Sequence, residues 1–94
     1  VRKEADVKRR IKEVLTQMGV WWVMYVPMGM GKAGVPDFLC CYNGRFIAIE
    51  AKFGNALPTA LQTYQMAEIR KAKGDVLVIT EKNVNELRQR IEHV

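Results

Sequence analysis

At 94 residues the chain has room for one modest hydrophobic core and not for two, so it is read as a single domain over 1–94. Hydrophobic residues make up 49% and charged residues 27%, which excludes a disordered or fibrous chain. The formal charge of +5 points to a polyanionic partner without naming its chemistry.

Six of the fifteen basic residues, Arg2, Lys3, Lys8, Arg9, Arg10 and Lys12, fall in the first twelve positions. They open a segment in which Val7, Ile11, Val14, Leu15 and Met18 recur at helical spacing until Gly19, which predicts an amphipathic helix over 4–18. Its basic outer face is either a solvated surface or a phosphate-tracking one, with Lys8 and Arg9 the candidate contacts. The β-branched and aromatic run from Val20 to Val26 reads as a strand. Pro27 and glycines 29, 31 and 34 then make a loop in which Lys32 is available to a phosphate, or which is an ordinary long connection.

Strands are expected over 38–42 and 45–51, joined by Asn43-Gly44, a dipeptide suited to a tight turn in which both central residues have positive φ. Thr59 opens a helix that runs to about Lys73 and is closed by Gly74, Asp75 to Thr80 is a further strand, and Asn83 to Glu92 is a last helix burying Val84, Leu87 and Ile91. The order α-β-β-β-α-β-α makes 45–80 a right-handed parallel crossover. The fold class is therefore α/β, a mixed central sheet of about four strands flanked by helices.

If Tyr42 pairs with Arg45, Cys41 faces Phe46, Leu39 faces Ala48, and Asp37 faces Glu50. Directly opposed side chains have Cβ atoms about 4.5 to 5.5 Å apart, and two acids there repel unless a cation lies between them. Lys52 follows Glu50 by two residues and projects from the same face by strand alternation. One reading is a cross-strand charge cluster. The other is a divalent-ion site in which Asp37, Glu50 and a backbone carbonyl near Ala51 supply the all-oxygen coordination that suits Mg2+ or Mn2+. Beside such an ion, Lys52 would orient a water or stabilise developing negative charge during phosphodiester hydrolysis.

Other motifs carry less. Gly29-Met30-Gly31-Lys32-Ala33-Gly34 fits a GxGxxG pattern, but a proline and a strand follow where a dinucleotide site needs a helix. His93 has no nucleophile and acid arranged around it. Cys40 and Cys41 are adjacent and point to opposite faces, so neither a framework disulfide nor a structural zinc site is expected. Of Trp21 and Trp22, one is expected to pack in the core. No signal-peptide pattern and no membrane-length apolar run is seen, so the expectation is a soluble intracellular protein, cytoplasmic in a bacterium or phage-infected host, with no membrane partner.

Gly34-Val35-Pro36-Asp37 followed by Ile49-Glu50-Ala51-Lys52 resembles the PD-(D/E)XK nuclease signature. With Glu4 in the first helix and Pro58-Thr59-Ala60-Leu61-Gln62 opening the second, nearly the whole chain resembles the virus-type replication-repair nuclease (VRR-NUC) family. The resemblance implies a restriction-endonuclease-like core, with Asp37 and Glu50 as metal ligands and Lys52 as the catalytic lysine. It further implies Glu4 as a metal-site acid and Gln62 as a helper near the metal or scissile phosphate. Gln65 lies within a turn of Gln62, and both remain candidates for that role. Family members often carry Gln where this chain has Lys8. Glu4 also suits a helix first turn on electrostatic grounds, and Thr59 with Gln62 fits a capping box. The implied activity is metal-dependent cleavage of DNA, in particular branched DNA such as four-way junctions, by a homodimer. The rival readings are a non-catalytic nucleic-acid-binding module on the same fold and an assembly subunit whose acids form only charge pairs.

Overall fold

The computed structural model describes residues 3–94. Arg2, counted above in the basic segment, lies outside the described residues. The chain runs α1 (Glu4–Gln17), β1 (Trp21–Met24), β2 (Phe38–Tyr42), β3 (Arg45–Ala51), α2 (Ala60–Lys71), β4 (Asp75–Ile79), a 3-10 turn (Val84–Glu86) and α3 (Leu87–Glu92). The four strands form one sheet in the order β1-β2-β3-β4. The first two pairings are antiparallel, and β3 pairs with β4 in parallel across α2. This is the expected mixed α/β sheet flanked by helices, consistent with a restriction-endonuclease-like fold.

The turn sets the register. Asn43 has φ 51 and Gly44 φ 77, both in the left-handed region that a two-residue hairpin of this kind demands. Tyr42 pairs with Arg45, Cys41 with Phe46 and Leu39 with Ala48, as expected, and the ladder closes at Phe38 with Ile49. Asp37 lies one residue beyond the last paired position. Its carbonyl still accepts from Tyr25 N–H at 2.8 Å.

Strand alternation divides the sheet into two faces. Phe38, Cys40, Ile47, Ile49 and Ala51 bury against Val7, Ile11, Val14 and Leu15 of α1 and against Val84, Leu87 and Ile91 near the C-terminus. Ala48 and Glu50 project from the other face, where α2 begins and Gln62 reaches Glu50. The second face thus carries a buried acid, while the first is wholly apolar.

Three elements depart from the expected bounds by more than one residue. The first strand spans Trp21–Met24 rather than 20–26, because the chain turns away towards Pro27, which has no N–H to extend the ladder. The last helix begins as a 3-10 turn: Asn83 Oδ1 takes Thr80 N–H at 2.8 Å and its Nδ2 donates to the Val78 carbonyl at 3.1 Å. That tight local closure holds the chain until regular α-helix starts at Leu87. The second helix ends at Lys71, and Lys73, at φ 75, takes the left-handed position just ahead of Gly74. Trp22 packs edge-on against Phe38, with ring centroids 5.8 Å apart, and Trp21 lies outside. Cys40 is buried and Cys41 exposed, on opposite faces as alternation requires.

Candidate active site

Asp37 and Glu50 meet at the end of the hairpin farthest from its turn. Asp37 Oδ2 accepts the Ala51 N–H at 2.8 Å, so the acid after the Gly-Val-Pro turn is tied to the β3 backbone. In an extended strand the N–H and C=O of one residue point to the same edge, and the Ala51 carbonyl therefore faces the Asp37 side as well. Gly34 lets this turn press against the start of α2. It has φ +79, and a Cβ there would lie 2.7 Å from the Leu61 carbonyl group.

Glu50 is 2% exposed. Its Oε2 accepts from Gln62 Nε2 at 3.2 Å and lies 3.6 Å from Lys52 Nζ. Its Oε1 is fully buried and has no hydrogen-bond partner among the described residues. Burial is the main force that pushes its carboxyl up to about 7, the negative charges of Asp37 and Glu4 push the same way, and Lys52 opposes them. A buried carboxylate oxygen with no donor is costly, and a cation beside it removes that cost.

Gln62 holds two roles at once. Thr59 Oγ1 accepts the Gln62 N–H at 3.1 Å, and Gln62 Oε1 accepts the Thr59 N–H at 2.8 Å, a complete capping box. Fixing Oε1 on the backbone leaves the amide nitrogen aimed at Glu50. Of the two glutamines, Gln62 is the one bonded to a site acid.

The first helix contributes through Lys8. Its Nζ is 3.5 Å from Glu4 Oε2 and 3.6 Å from Asp37 Oδ1, so it lies inside the acidic cluster rather than along the outer basic face. Among the described residues, Glu4 approaches the site through this lysine and through its charge on Glu50. Arg9 pairs with Asp6 at 3.0 Å on the outside of the helix. Lys32 is exposed on the glycine loop, where its carbonyl accepts from Tyr25 Oη at 2.9 Å.

Sequence reasoning missed Glu81. Its carboxylate takes the Gly54 N–H at 2.9 and 3.2 Å and pins the turn that follows Lys52, and this backbone donor is the main cause of its lowered carboxyl pKa. The contact exists because β3 and β4 run side by side, a pairing that no local motif announces. Among the described residues no three His, Cys, Asp or Glu side chains converge as a metal cluster. The groups that could hold an ion are two acids and a backbone carbonyl, a set that would fit a hard cation keeping several of its waters.

Comparison with protein-family models and with curated proteins gives no match. A solved structure described as "VRR_NUC domain" superposes with a TM-score of 0.76 at 26% identity, covering 99% of this chain and 98% of that one. The match supports a VRR-NUC domain assignment. At 99% coverage the match extends over α1, the hairpin and α2. A VRR-NUC domain is a nuclease-type domain, and the chemistry open to the paired acids follows from that. Among the described residues no helix is long and apolar enough to cross a membrane.

Proposed function

We propose that this VRR-NUC domain is a divalent-cation-dependent endonuclease acting on DNA, with Asp37 and Glu50 as the ion's side-chain ligands and the Ala51 carbonyl beside them. The observation that supports this most strongly is the buried, donorless Oε1 of Glu50 next to a second acid. Among the described residues no hydrogen bond satisfies that atom, and Mg2+ or Mn2+ has the oxygen preference to do so.

When bound, such an ion polarises a phosphoryl oxygen and makes water a better nucleophile. The protein's groups do the rest. Lys52 holds its ammonium within 3.6 Å of Glu50, where it can orient the attacking water and offset the charge that builds on the phosphorus oxygens. Gln62 fixes the second Glu50 oxygen, so the acid cannot swing away from Asp37. Asp37 is held by the Ala51 N–H in the same way. Arg9 and Lys32, both exposed, are the proposed contacts to flanking phosphates.

The proposed substrate is branched DNA, including four-way junctions, cut by a homodimer whose two-fold axis relates two sites to two opposed strands. Support for self-association comes from the second sheet face. Trp21 is 63% exposed, and it pairs with the exposed Cys41, which pairs in turn with Phe46, 42% exposed. A contiguous apolar strip of this kind is a common subunit contact.

The test is cleavage of a labelled junction with Mg2+ and with Mn2+ by wild type, Asp37→Ala and Lys52→Ala. Both variants are expected to lose cleavage by about 100-fold or more while retaining most of their DNA affinity. Wild-type protein that binds the junction and cuts it with neither ion is a binding module, and the nuclease reading fails.

A further inference from the structure

We infer that the ammonium of Lys8 is a built-in second cation of this site, so that each chain takes one divalent ion where Glu4 and Asp37 would otherwise hold another. The inference rests on the ion-binding role proposed for Asp37 and Glu50 and goes beyond it.

The position of Lys8 is set by the core. Glu4, Lys8 and Ile11 follow one another at spacings of four and three along α1, with Val7 and Ile11 completely buried. The azimuth of the helix is therefore fixed by packing, and the Lys8 side chain, 29% exposed, is carried inward with it. Its ammonium bridges the two acids at 3.5 and 3.6 Å. Phosphodiesterases with two metals hold their ions about 4 Å apart across a shared carboxylate. Here the carboxylate available for sharing is Asp37, and its two oxygens are already divided between the Ala51 N–H and Lys8.

The donors on the other acid are arranged differently. Glu50 Oε2 is met by Gln62 and Lys52, while Oε1 has no hydrogen-bond partner among the described residues. The cluster thus has one unsatisfied position on its Glu50 side and a fixed positive charge on its Glu4 side. A second divalent ion between Glu4 and Asp37 would have to displace that charge or lie against it, and like charges at such range repel strongly. A lysine whose task was to grip phosphate would be expected to extend into solvent as Arg9 does, but Lys8 is turned towards carboxylates on two different elements.

Counting Mn2+ bound to the intact, DNA-free protein by electron paramagnetic resonance and titration calorimetry tests this without reference to activity. Wild type and Lys8→Arg are expected to bind one ion per chain. Lys8→Gln, which keeps a good helix former at the position, is expected to bind two, and adding Glu4→Gln to that variant is expected to return the count to one. Two ions in wild type, or one in Lys8→Gln, would overturn the role of Lys8 and leave the Asp37–Glu50 ion in place. Absence of Mn2+ from wild type, together with absence of cleavage, would overturn both.

Discussion

A glutamate that is 2% exposed and pushed up to about 7 couples folding to pH in the reverse of the usual sense for an acid. The folded, ion-free protein holds this proton more tightly than the unfolded chain, whose carboxyl titrates near 4.5. Folding therefore takes up a proton between those two values, and the stability linked to Glu50 is complete below the lower one and lost as pH rises through the upper one. Glu50→Gln keeps the shape without the charge. In EDTA at about pH 8 it is expected to be more stable than wild type by on the order of 2 to 3 kcal/mol, and the gap should close at about pH 4.5. Mg2+ should raise the melting temperature of wild type at the higher pH and leave the variant unmoved. Thermal denaturation across pH, with and without the ion, checks both statements, and equal melting of the two proteins in EDTA at the higher pH would refute the buried-charge account.

At the scale of elements, the site depends on how closely the Gly-Val-Pro-Asp turn approaches the first turn of α2. Gly34→Ala combines a φ of +79 with a methyl group 2.7 Å from Leu61, so either the turn or the helix start must move. A loss of about 1 to 3 kcal/mol is expected, together with weaker cleavage, because Asp37 and Gln62 flank the disturbed contact. Urea denaturation and cleavage rates measured on one preparation would show it, and a variant as stable and active as wild type would remove the turn from the positioning of the site. The hairpin and its acids were legible in the sequence because a two-residue Asn-Gly turn fixes register and strand parity then decides which residues are opposed. The complete capping box was legible because its partners are three residues apart. Lys8 was harder. Helical spacing places it on the same face as Glu4, but whether that face looks towards Asp37 depends on how α1 rolls on the sheet, which the packing of Val7 and Ile11 decides. Glu81 and the short first strand were out of reach for a related reason, since both depend on where separate segments meet.

For the whole molecule, the exposed strip through Trp21 and Phe46 and the net charge of +5 act on different observables. If the strip joins two copies, Trp21→Ser should weaken self-association by about 30-fold, as expected for an aromatic residue at the centre of an interface, with the fold unchanged because the side chain is outside the core. Sedimentation equilibrium over a range of concentrations measures this, and identical behaviour of the two proteins would place any dimer contact elsewhere. The mixed four-strand sheet itself was readable from the order of elements, because a hairpin followed by a helix and a further apolar strand leaves few arrangements open.

Asp37 and Glu50 are brought together by a hairpin with a turn of two residues, and Lys52 follows on the same strand's continuation. Hairpins close within about 1 to 10 μs, so the two mutually repelling acids meet early in the folding reaction, before the distant helices have docked. If the hairpin belongs to the folding nucleus, their repulsion slows folding, and a dissolved divalent ion is expected to raise the refolding rate of wild type in stopped-flow measurements and not that of Glu50→Gln.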